Sequence, residues 1–461
     1  MSTRTSPLPV AVIGAGPVGM AAAAQLVTRG LDFVIIEAGD QVASSMTQWA
    51  HVRLFSPWRY NIDPAARTLL EQTGWSPPDP QWLPTGGELL DDYLAPLAAH
   101  PAIAARMRYG VPVTAIARQG FDKVRTAGRD RAPFLLRLSD GTELAARAVI
   151  DASGTWRTPN PLGGNGLPAY GEQEARAAGR VFDGMPDVLD ALRDQFAGKT
   201  TAVVGAGHSA TGTLLALAEL AEQHPDTTVA WLLRAPNPSR AYGGGDADAL
   251  PARGAIGTRI KALVDAGKVT VHTGFFVHEI TDEAIVSADG RKVDAAVIVN
   301  ATGARPDHAL ADELRLDLDP ILGSTRALAP LIDPNQHSCG TVPPHGVDEL
   351  AHPETGFYVI GAKSYGRAPT FLLATGYEQA RSVVAALAGD WDAARDVRLE
   401  LPETGVCSTS NLLEQQDDDA GCCATPVAEA KRGLATGVSG GLLSLPLVSS
   451  ASHAGSGGCC S

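Results

Sequence analysis

The sequence predicts an α/β fold built from two Rossmann-like dinucleotide-binding domains, the second inserted in the first, followed by a C-terminal tail predicted to be disordered. A glycine fingerprint recurs after about 190 residues. Each copy lies between an apolar run and an Ala- and Leu-rich stretch typical of a helix. A strand end also recurs, as Val149-Ile-Asp-Ala-Ser-Gly154 and Ile298-Val-Asn-Ala-Thr-Gly303. The length of 461 residues is sufficient for two to three domains.

The first fingerprint is Val10-Ala-Val-Ile-Gly14-Ala-Gly16-Pro-Val-Gly19. It predicts a strand, a tight turn and a helix whose N-terminal amides face a pyrophosphate. The next apolar run, Phe33-Val-Ile-Ile, ends in Glu37, 23 residues after Gly14. A carboxylate at this position accepts hydrogen bonds from ribose hydroxyls. The three glycines and Glu37 are therefore predicted to bind a dinucleotide.

The second fingerprint is Ala202-Val-Val-Gly205-Ala-Gly207-His-Ser-Ala210, and the apolar run that follows, Val229-Ala-Trp-Leu-Leu, ends in Arg234. An arginine here suits a 2′-phosphate. For Arg234 alone, the alternative is a solvated charge at a strand end. Opposite charges after the two fingerprints predict two different dinucleotides. The natural pair is FAD at the first site and NADPH at the second.

The repeated strand ends, 149–154 and 298–303, are predicted to add residues to the two dinucleotide sites. In each, an apolar strand runs into a small-residue turn, where the chain and a dinucleotide can approach closely. Gly154 is therefore predicted to lie at the FAD site and Gly303 at the NADPH site. The alternative is a pair of ordinary strand-to-loop turns.

Further elements complete the predicted domains. A helix is expected near Glu88–Ala99, and hairpin turns at Ser139-Asp-Gly-Thr142 and around Ala288-Asp-Gly290. An apolar strand, Gly356-Phe-Tyr-Val-Ile-Gly361, and a helix from Thr370 to Leu387 are expected to return the chain to the first domain. The predicted FAD domain consists of two segments, 1–198 and 304–400. The predicted NADPH domain lies between them, at 199–303, and the tail covers 401–461.

Composition excludes several classes of function. The net charge of −14 argues against nucleic acid or an anionic membrane surface as a partner. No apolar run approaches the roughly 18 residues of a membrane-spanning helix. The N-terminus, Met-Ser-Thr-Arg-Thr, leads straight into the first strand. We therefore expect no signal peptide and a cytoplasmic location.

The order of the two fingerprints, the Ala-Ser-Gly and Ala-Thr-Gly turns and the closing strand resembles that of the two-dinucleotide-binding-domain flavoproteins. The resemblance covers about residues 8–390. It is greatest to the flavin-containing monooxygenase-like branch, which includes Baeyer–Villiger and N-hydroxylating enzymes. It implies an FAD- and NADPH-dependent oxidoreductase. The residues that it adds are Trp49 and Gly361 at the FAD site and Ser209 at the NADPH site.

Two segments differ from that branch. Met46-Thr-Gln-Trp49 stands where the branch has Gly-Gly-x-Trp, so this match is partial. The monooxygenase signature has a histidine after Phe-x-Gly-x-x-x, whereas Phe182-Asp-Gly-Met-Pro-Asp-Val188 has a valine there. The valine argues against typical oxygenation and does not affect the predicted binding of flavin or pyridine nucleotide.

The positions of the cysteines limit the reactions that the predicted flavin could carry out. Disulfide reductases among these flavoproteins need a cysteine pair beside the flavin, but all six cysteines of this chain lie beyond residue 330. What remains is hydride transfer from NADPH to FAD, followed by reaction with oxygen or another acceptor. A small-molecule substrate and O2 are the expected partners. Arg53, Asn61 and Tyr365 are candidates for the catalytic shell, and their alternative role is in packed connecting segments.

The tail carries five of the six cysteines, four of them in the vicinal pairs Cys422-Cys423 and Cys459-Cys460. Adjacent thiolates suit thiophilic ions, and in this respect alone the tail resembles that of mercuric reductases. Similar proteins also occur beside arsenic-resistance genes, which makes trivalent arsenic or an organoarsenical a candidate ligand. Alternatively, the pairs are incidental in a disordered tail or form disulfides on isolation.

Two enzymatic functions therefore follow from the sequence. The preferred one is an NADPH-dependent flavin monooxygenase that acts on a small soft nucleophile, organic or metalloid. The alternative is a flavin reductase that passes electrons to a thiol-bound metal or metalloid ion captured by the tail. A redox-sensing binding protein is disfavoured, because two cofactors that can exchange hydride indicate turnover.

Overall fold

The computed structural model describes residues 8–243, 251–337, 342–397 and 399. Within them, strands form two five-stranded and two three-stranded sheets. The strands are β1 (Val10–Ile13), β2 (Phe33–Ile36), β3 (Met107–Arg108), β4 (Val113–Arg118), β5 (Phe134–Leu138), β6 (Glu143–Ala146), β7 (Ala148–Asp151), β8 (Val181–Asp183), β9 (Thr200–Val204), β10 (Thr228–Leu232), β11 (Thr270–His272), β12 (Val277–Ile280), β13 (Ala284–Ser287), β14 (Lys292–Asp294), β15 (Val297–Asn300) and β16 (Phe357–Val359).

The α-helices are α1 (Pro17–Thr28), α2 (Trp58–Asn61), α3 (Pro64–Glu71), α4 (Gly86–Leu89), α5 (Ala95–Ala99), α6 (Pro101–Ala104), α7 (Glu172–Ala177), α8 (Arg193–Phe196), α9 (His208–Gln223), α10 (Pro251–Asp265), α11 (Ala329–Ile332), α12 (Val347–Leu350), α13 (Leu373–Leu387) and α14 (Trp391–Arg395). A π-helical segment, Leu90–Leu94, joins α4 to α5. This confirms the helix predicted near Glu88–Ala99. Shorter 3₁₀ segments are Ser44–Trp49, Arg129–Arg131, Ser239–Tyr242, Ala309–Ala311 and Gly361–Tyr365.

The first parallel sheet has the strand order β16-β7-β1-β2-β3. Ile13, at the end of β1, pairs with Ile36 of β2 and with Asp151 of β7. β16 pairs with β7, so the closing strand returns to this sheet as predicted. The helix predicted from Thr370 begins at Leu373 and ends as expected at Leu387.

The second parallel sheet has the order β11-β10-β9-β15-β8. Val204, at the end of β9, pairs with Leu232 of β10 and with Asn300 of β15, which repeats the arrangement around Ile13. β8 pairs with β15, so a strand of this sheet lies ahead of residue 199. The bounds given above for the domains stay a prediction.

Two antiparallel three-stranded sheets, β4-β5-β6 and β12-β13-β14, flank the parallel sheets. Both predicted hairpin turns are confirmed, because β5 pairs with β6 around 139–142 and β13 with β14 around 288–290.

Small side chains allow close packing over the first sheet. α1 contacts α13 as well as β1 and β2. Its central alanines, Ala21–Ala24, are completely buried. Methyl groups at these positions let the helix axis lie near both neighbours. This packing holds the N-terminus of α1 at the carboxyl edge of the sheet.

A buried ion cluster ties the β4-β5-β6 sheet to the segment before β16. Glu354 accepts hydrogen bonds from Arg118 at 2.7 Å and from Arg129 at 2.9 Å, and its carboxylate also accepts one from the backbone N–H of Arg315. The side chains of Arg118, Arg129 and Glu354 are at most 4 % exposed. Burial would raise the pKa of Glu354, but these hydrogen bonds and the charge of Arg129 lower it overall.

Replacing Glu354 is expected to destabilise the fold. Glu354→Gln would leave two buried guanidinium groups without a counter-charge, and removing one partner from a buried pair costs about 3–5 kcal/mol. Urea unfolding at neutral pH measures this loss. The matched control Glu143→Gln, in an exposed pair with Arg137, should barely change the unfolding midpoint.

The same variant should respond differently to acid. Because the pKa of Glu354 is lowered on folding, its stabilisation is complete above its ordinary value of 4.5 and is lost as pH falls through the lower folded-state value. The stability difference between wild type and Glu354→Gln should therefore shrink below about pH 4.5. A constant difference across that range would contradict this account.

Candidate cofactor and active site

The glycines of the first fingerprint have different structural roles. Gly14 has φ = +93°, and a Cβ there would lie 2.7 Å from the carbonyl oxygen of Ala152. A Cβ at Gly19 would lie 2.0 Å from the carbonyl oxygen of Gly14, so the helix can start this close to the strand only without a side chain. At Gly16 a Cβ would meet no protein atom within 4 Å. The space beside Gly16 is therefore open to a ligand at the N-terminus of α1.

Glu37 is buried at the end of β2, where its carboxylate orders the fingerprint turn. Oε2 accepts a hydrogen bond from the N–H of Ala15 at 2.7 Å. Oε1 accepts from the N–H of Gly39 at 2.8 Å and from the hydroxyl of Ser44 at 2.9 Å. A carboxylate offers about four acceptor positions, so one remains for a ribose hydroxyl.

A cavity of about 420 Å³ opens at the carboxyl edge of the first sheet. Six of the seven residues predicted for FAD line it: Gly14, Gly16, Glu37, Trp49, Gly154 and Gly361. The seventh, Gly19, lies in the first turn of α1. The lining residues come from separate stretches of the chain, and the parallel strand order brings them together.

The residues around this cavity fit FAD. The open position at Gly16 lets a pyrophosphate approach the backbone, where a larger residue would place its side chain. Among the residues that the structure describes, no side chain caps the first amides of α1, so these donors are available to an anion. Glu37 retains one acceptor position for a ribose.

We call the turn and helix start formed by each fingerprint a cradle. The second fingerprint forms a cradle like the first, with one difference. Gly205 has φ = +136°, and a Cβ there would lie 2.2 Å from the carbonyl oxygen of Ala301. A Cβ at Gly207 would meet nothing within 4 Å. Ala210 is fully buried in α9 at the position that corresponds to Gly19, so the second cradle accommodates a methyl group there.

The other predicted NADPH residues lie around the same edge of the second sheet. Ser209 is in the first turn of α9, and Gly303 follows β15, where its carbonyl accepts a hydrogen bond from the N–H of Asn160 at 2.9 Å. Arg234 is exposed, and its guanidinium lies 3.4 Å from the carbonyl oxygen of Gly164. Within the described ranges no carboxylate forms an ion pair with Arg234, which leaves its charge available to a phosphate.

A larger cavity of about 670 Å³ lies at the opposite, amino edge of the second sheet. It is lined by the strand starts Thr200, Thr228 and Thr270. None of the predicted NADPH residues lines it, so its size does not make it the nucleotide site.

Two separate aromatic contacts lie near the fingerprints, one in the wall of the first cavity and one at the start of α9. The rings of Trp49 and Trp156, which both line the cavity, are 6.3 Å apart. The ring of Phe55 lies 5.1 Å from that of His208, the first residue of α9. The first pair adds apolar surface to the cavity wall, and the second joins the stretch before α2 to the N-terminus of α9.

The three candidates for the catalytic shell, Arg53, Asn61 and Tyr365, do not line the cavity. Arg53 donates to the carbonyl of Leu83. Asn61 is buried, and its amide donates to the carbonyls of Ser56 and Pro57 at 2.6 and 3.2 Å. A direct role in chemistry for Arg53 and Asn61 stays a prediction.

Tyr365 is buried behind the cavity wall. Its ring packs 5.4 Å from that of Phe371, and Phe371 itself lines the cavity. Tyr365 can therefore support the shape of the wall, and a direct contact with a substrate stays a prediction.

Sequence reasoning missed a buried ion pair next to the cavity, between Asp151 and Lys363. The available signal was an aspartate that ends the otherwise apolar run of β7. A charge in such a position requires a partner, but nothing in the sequence indicates that the partner comes from about 210 residues later.

All six cysteines, including Cys422, Cys423, Cys459 and Cys460, lie outside the described residues. The predicted disorder, thiophilic metal site and arsenic link of the tail therefore stay predictions. Across the part of the chain that the structure describes, no group of three or more His, Cys, Asp or Glu residues could hold a metal ion. No helix in the same part is long and apolar enough to cross a membrane.

One protein family matches most of the chain, including both fingerprints. The sequence pattern of the family described as pyridine nucleotide-disulphide oxidoreductase matches residues 8–323, more than half of the chain. No curated protein matches the sequence.

Solved structures share the fold at low sequence identity. A bacillithiol disulfide reductase from Bacillus cereus is 18% identical with a TM-score of 0.61, over 83% of this chain and 99% of that one. A cadaverine monooxygenase of desferrioxamine biosynthesis from Erwinia amylovora, solved with FAD, is 13% identical with a TM-score of 0.57, over 86% and 97%. A flavin-containing monooxygenase from Stenotrophomonas maltophilia is 20% identical with a TM-score of 0.51, over 83% and 100%.

Substitutions at two glycines should separate ligand binding from folding. Gly16→Ala is expected to weaken FAD binding about 10- to 100-fold, because the new methyl group enters the open cradle. The FAD-free protein should unfold as wild type does, since Gly16 has φ −71° and ψ −179°, which alanine adopts readily. FAD titration and thermal unfolding measure the two effects.

Gly19→Ala is the matched substitution within the same fingerprint. Its methyl group would overlap the carbonyl of Gly14, so it should destabilise the FAD-free protein by about 1–3 kcal/mol. If Gly16→Ala instead destabilised the FAD-free protein and left FAD affinity intact, the assignment of the open cradle would be wrong.

Proposed function

Because the chain belongs to the pyridine nucleotide-disulphide oxidoreductase family, we propose that it is an NADPH-dependent FAD oxidoreductase that acts as a monooxygenase on a small soft nucleophile. Two phosphate cradles in one chain carry this proposal. Each has one glycine open to a ligand, Gly16 or Gly207. Glu37 directly follows the strand after the first cradle, and Arg234 lies two residues beyond the strand after the second, so the two cradles suit different riboses.

The chain supplies binding and orientation around two cofactors. The amides of α1 beside Gly16 bind the FAD pyrophosphate, and Glu37 accepts from its ribose. The amides of α9 beside Gly207 bind the NADPH pyrophosphate, and Arg234 pairs with its 2′-phosphate. When bound, FAD accepts a hydride from the nicotinamide and then passes electrons to an acceptor.

Oxygen as that acceptor is supported by the surroundings of the cavity. Trp49, Trp156 and Phe371 contribute apolar surface to the cavity wall, and apolar surface around a reaction centre favours the exclusion of water. No described residue is a cysteine, so no thiol among them can exchange with a disulfide. Two of the structural neighbours reported above are monooxygenases.

The alternative is a flavin reductase that transfers electrons to a metal or metalloid ion bound by the C-terminal cysteine pairs. It is supported by the two vicinal pairs in the sequence and by the fold shared with a disulfide reductase. The two functions differ in whether residues 401–461 are needed for turnover.

Arg234→Ala should change the choice of nucleotide. Loss of a charge-assisted contact to the 2′-phosphate is worth about 1.5–3 kcal/mol. The KM for NADPH should therefore rise about 10- to 100-fold, while the KM for NADH, which lacks this phosphate, should stay near its wild-type value. Initial steady-state rates of NADPH and NADH consumption, followed by absorbance, measure both constants.

Arg259→Ala is a suitable control, because Arg259 is an exposed arginine on α10. It should leave both KM values unchanged. An equal rise for NADPH and NADH in Arg234→Ala would count against a 2′-phosphate contact.

Admission of oxygen should distinguish the two functions. Protein reduced by NADPH under nitrogen is mixed with air and a panel of sulfides, amines and trivalent organoarsenicals. A monooxygenase should consume NADPH and O2 in equal amounts and give a product with one added oxygen atom, with or without residues 401–461. Loss of turnover on removal of that segment, with no oxygenated product from the full chain, would favour the reductase.

A further inference from the structure

A fully buried ion pair lies behind the wall of the FAD cavity. The ammonium of Lys363 donates to Oδ2 of Asp151 at 2.7 Å. The side chains of Lys363 and Asp151 are only 2 % and 1 % exposed. Burial would raise the pKa of Asp151, but the charge and hydrogen bond of Lys363, together with hydrogen bonds from Ser153, lower it overall. The carboxylate of Asp151 is therefore ionised at neutral pH.

The pair connects two turns that both form the cavity. Asp151 ends β7, and its Oδ1 accepts a hydrogen bond from the N–H of Ser153 at 3.0 Å. Lys363 lies in the 3₁₀ segment that begins at Gly361. Ser153, Gly154 and Gly361 all line the cavity. One ammonium thus holds together walls that are about 210 residues apart in sequence.

Lys363 also orients the hydroxyl group of Ser153. Its ammonium donates to Oγ of Ser153 at 3.1 Å, which occupies one acceptor position of that oxygen. A hydroxyl has a single hydrogen to donate. This hydrogen bonds to Asp151, and because Ser153 is exposed to the cavity, the second acceptor position of its oxygen is available to a ligand.

The second cradle shows that the fold of the turn does not require a buried charge. Asn300 holds the position of Asp151, since it ends β15 opposite Val204. It accepts a hydrogen bond from the hydroxyl of Thr302 at 2.7 Å, and its amide donates to the carbonyl of Asn160 at 2.8 Å. A neutral amide there orders an equivalent turn. The ion pair beside the first cavity, which is costly to desolvate, therefore indicates a role other than folding.

We propose that Lys363 is a positioning residue for FAD, which fixes the 152–154 turn against the 361–365 segment and sets the Ser153 hydroxyl oxygen to accept a hydrogen bond from the bound cofactor. This inference rests on the FAD binding of the proposed function and is independent of the electron acceptor. Asp151 holds the ammonium in place, and Ser153 makes the contact.

The test measures FAD affinity and folding separately. Protein stripped of FAD is titrated with FAD by quenching of flavin fluorescence, and its thermal unfolding is recorded without FAD. Ser153→Ala should raise the Kd about 10-fold with an unchanged unfolding midpoint. Lys363→Met alone should lower the midpoint, because Asp151 is left as an unpaired buried charge.

The double variant Lys363→Met with Asp151→Asn decides between positioning and folding. It removes both buried charges together and leaves neither unpaired, so the unfolding midpoint should stay near that of wild type. FAD affinity should still fall about 10-fold. Adding Ser153→Ala to this background should change the Kd by less than about threefold, because the hydroxyl is no longer oriented.

Glu354→Gln is the control, since it disrupts a buried ion cluster away from the cavity. It should lower stability while leaving the Kd for FAD unchanged. Wild-type affinity in the double variant would overturn the inference, as would a full 10-fold effect of Ser153→Ala in that background. A wild-type protein that bound no FAD would overturn the proposed function and this inference together.

Discussion

The architecture depends on a close approach of backbone to backbone at the end of one strand in each parallel sheet. The carbonyl oxygens of Ala152 and Ala301 lie where side chains at Gly14 and Gly205 would begin. The contact keeps neighbouring strands in register up to their carboxyl ends and turns the chain at once into a helix. The N-terminal amides of that helix therefore face the edge where the strand ends converge. The open positions beside Gly16 and Gly207 follow from this geometry.

The two cradles share this constraint and differ in what surrounds it. The first requires glycine at position 19, whereas the second accepts the methyl group of Ala210. At the matching strand ends, the first has Asp151 with the buried Lys363 and the second has the neutral Asn300. The same backbone frame thus carries different polar groups, in keeping with the two different dinucleotides proposed for it.

Much of the fold was predictable because its signals are local. Fingerprints, apolar runs and hairpin turns each lie within a few residues, and the strand order confirmed the elements that they predicted. The catalytic shell was harder to infer. Arg53 and Asn61 were selected from an irregular stretch without periodicity, and the structure engages both with nearby backbone carbonyls instead of the cavity. Side-chain direction in such a stretch depends on packing against distant segments, which sequence spacing does not encode.

The sequence by itself determined the glycines of both cradles and the opposite charges that follow them, because backbone conformation and ribose recognition act through single residues at fixed spacing. Only the tertiary structure decided which of these residues share a cavity, and that Trp49, Gly154 and Gly361 meet beside Gly16. It also decided the partner of Asp151. A buried charge requires a counter-charge, but the three-dimensional path of the chain determines that Lys363 supplies it.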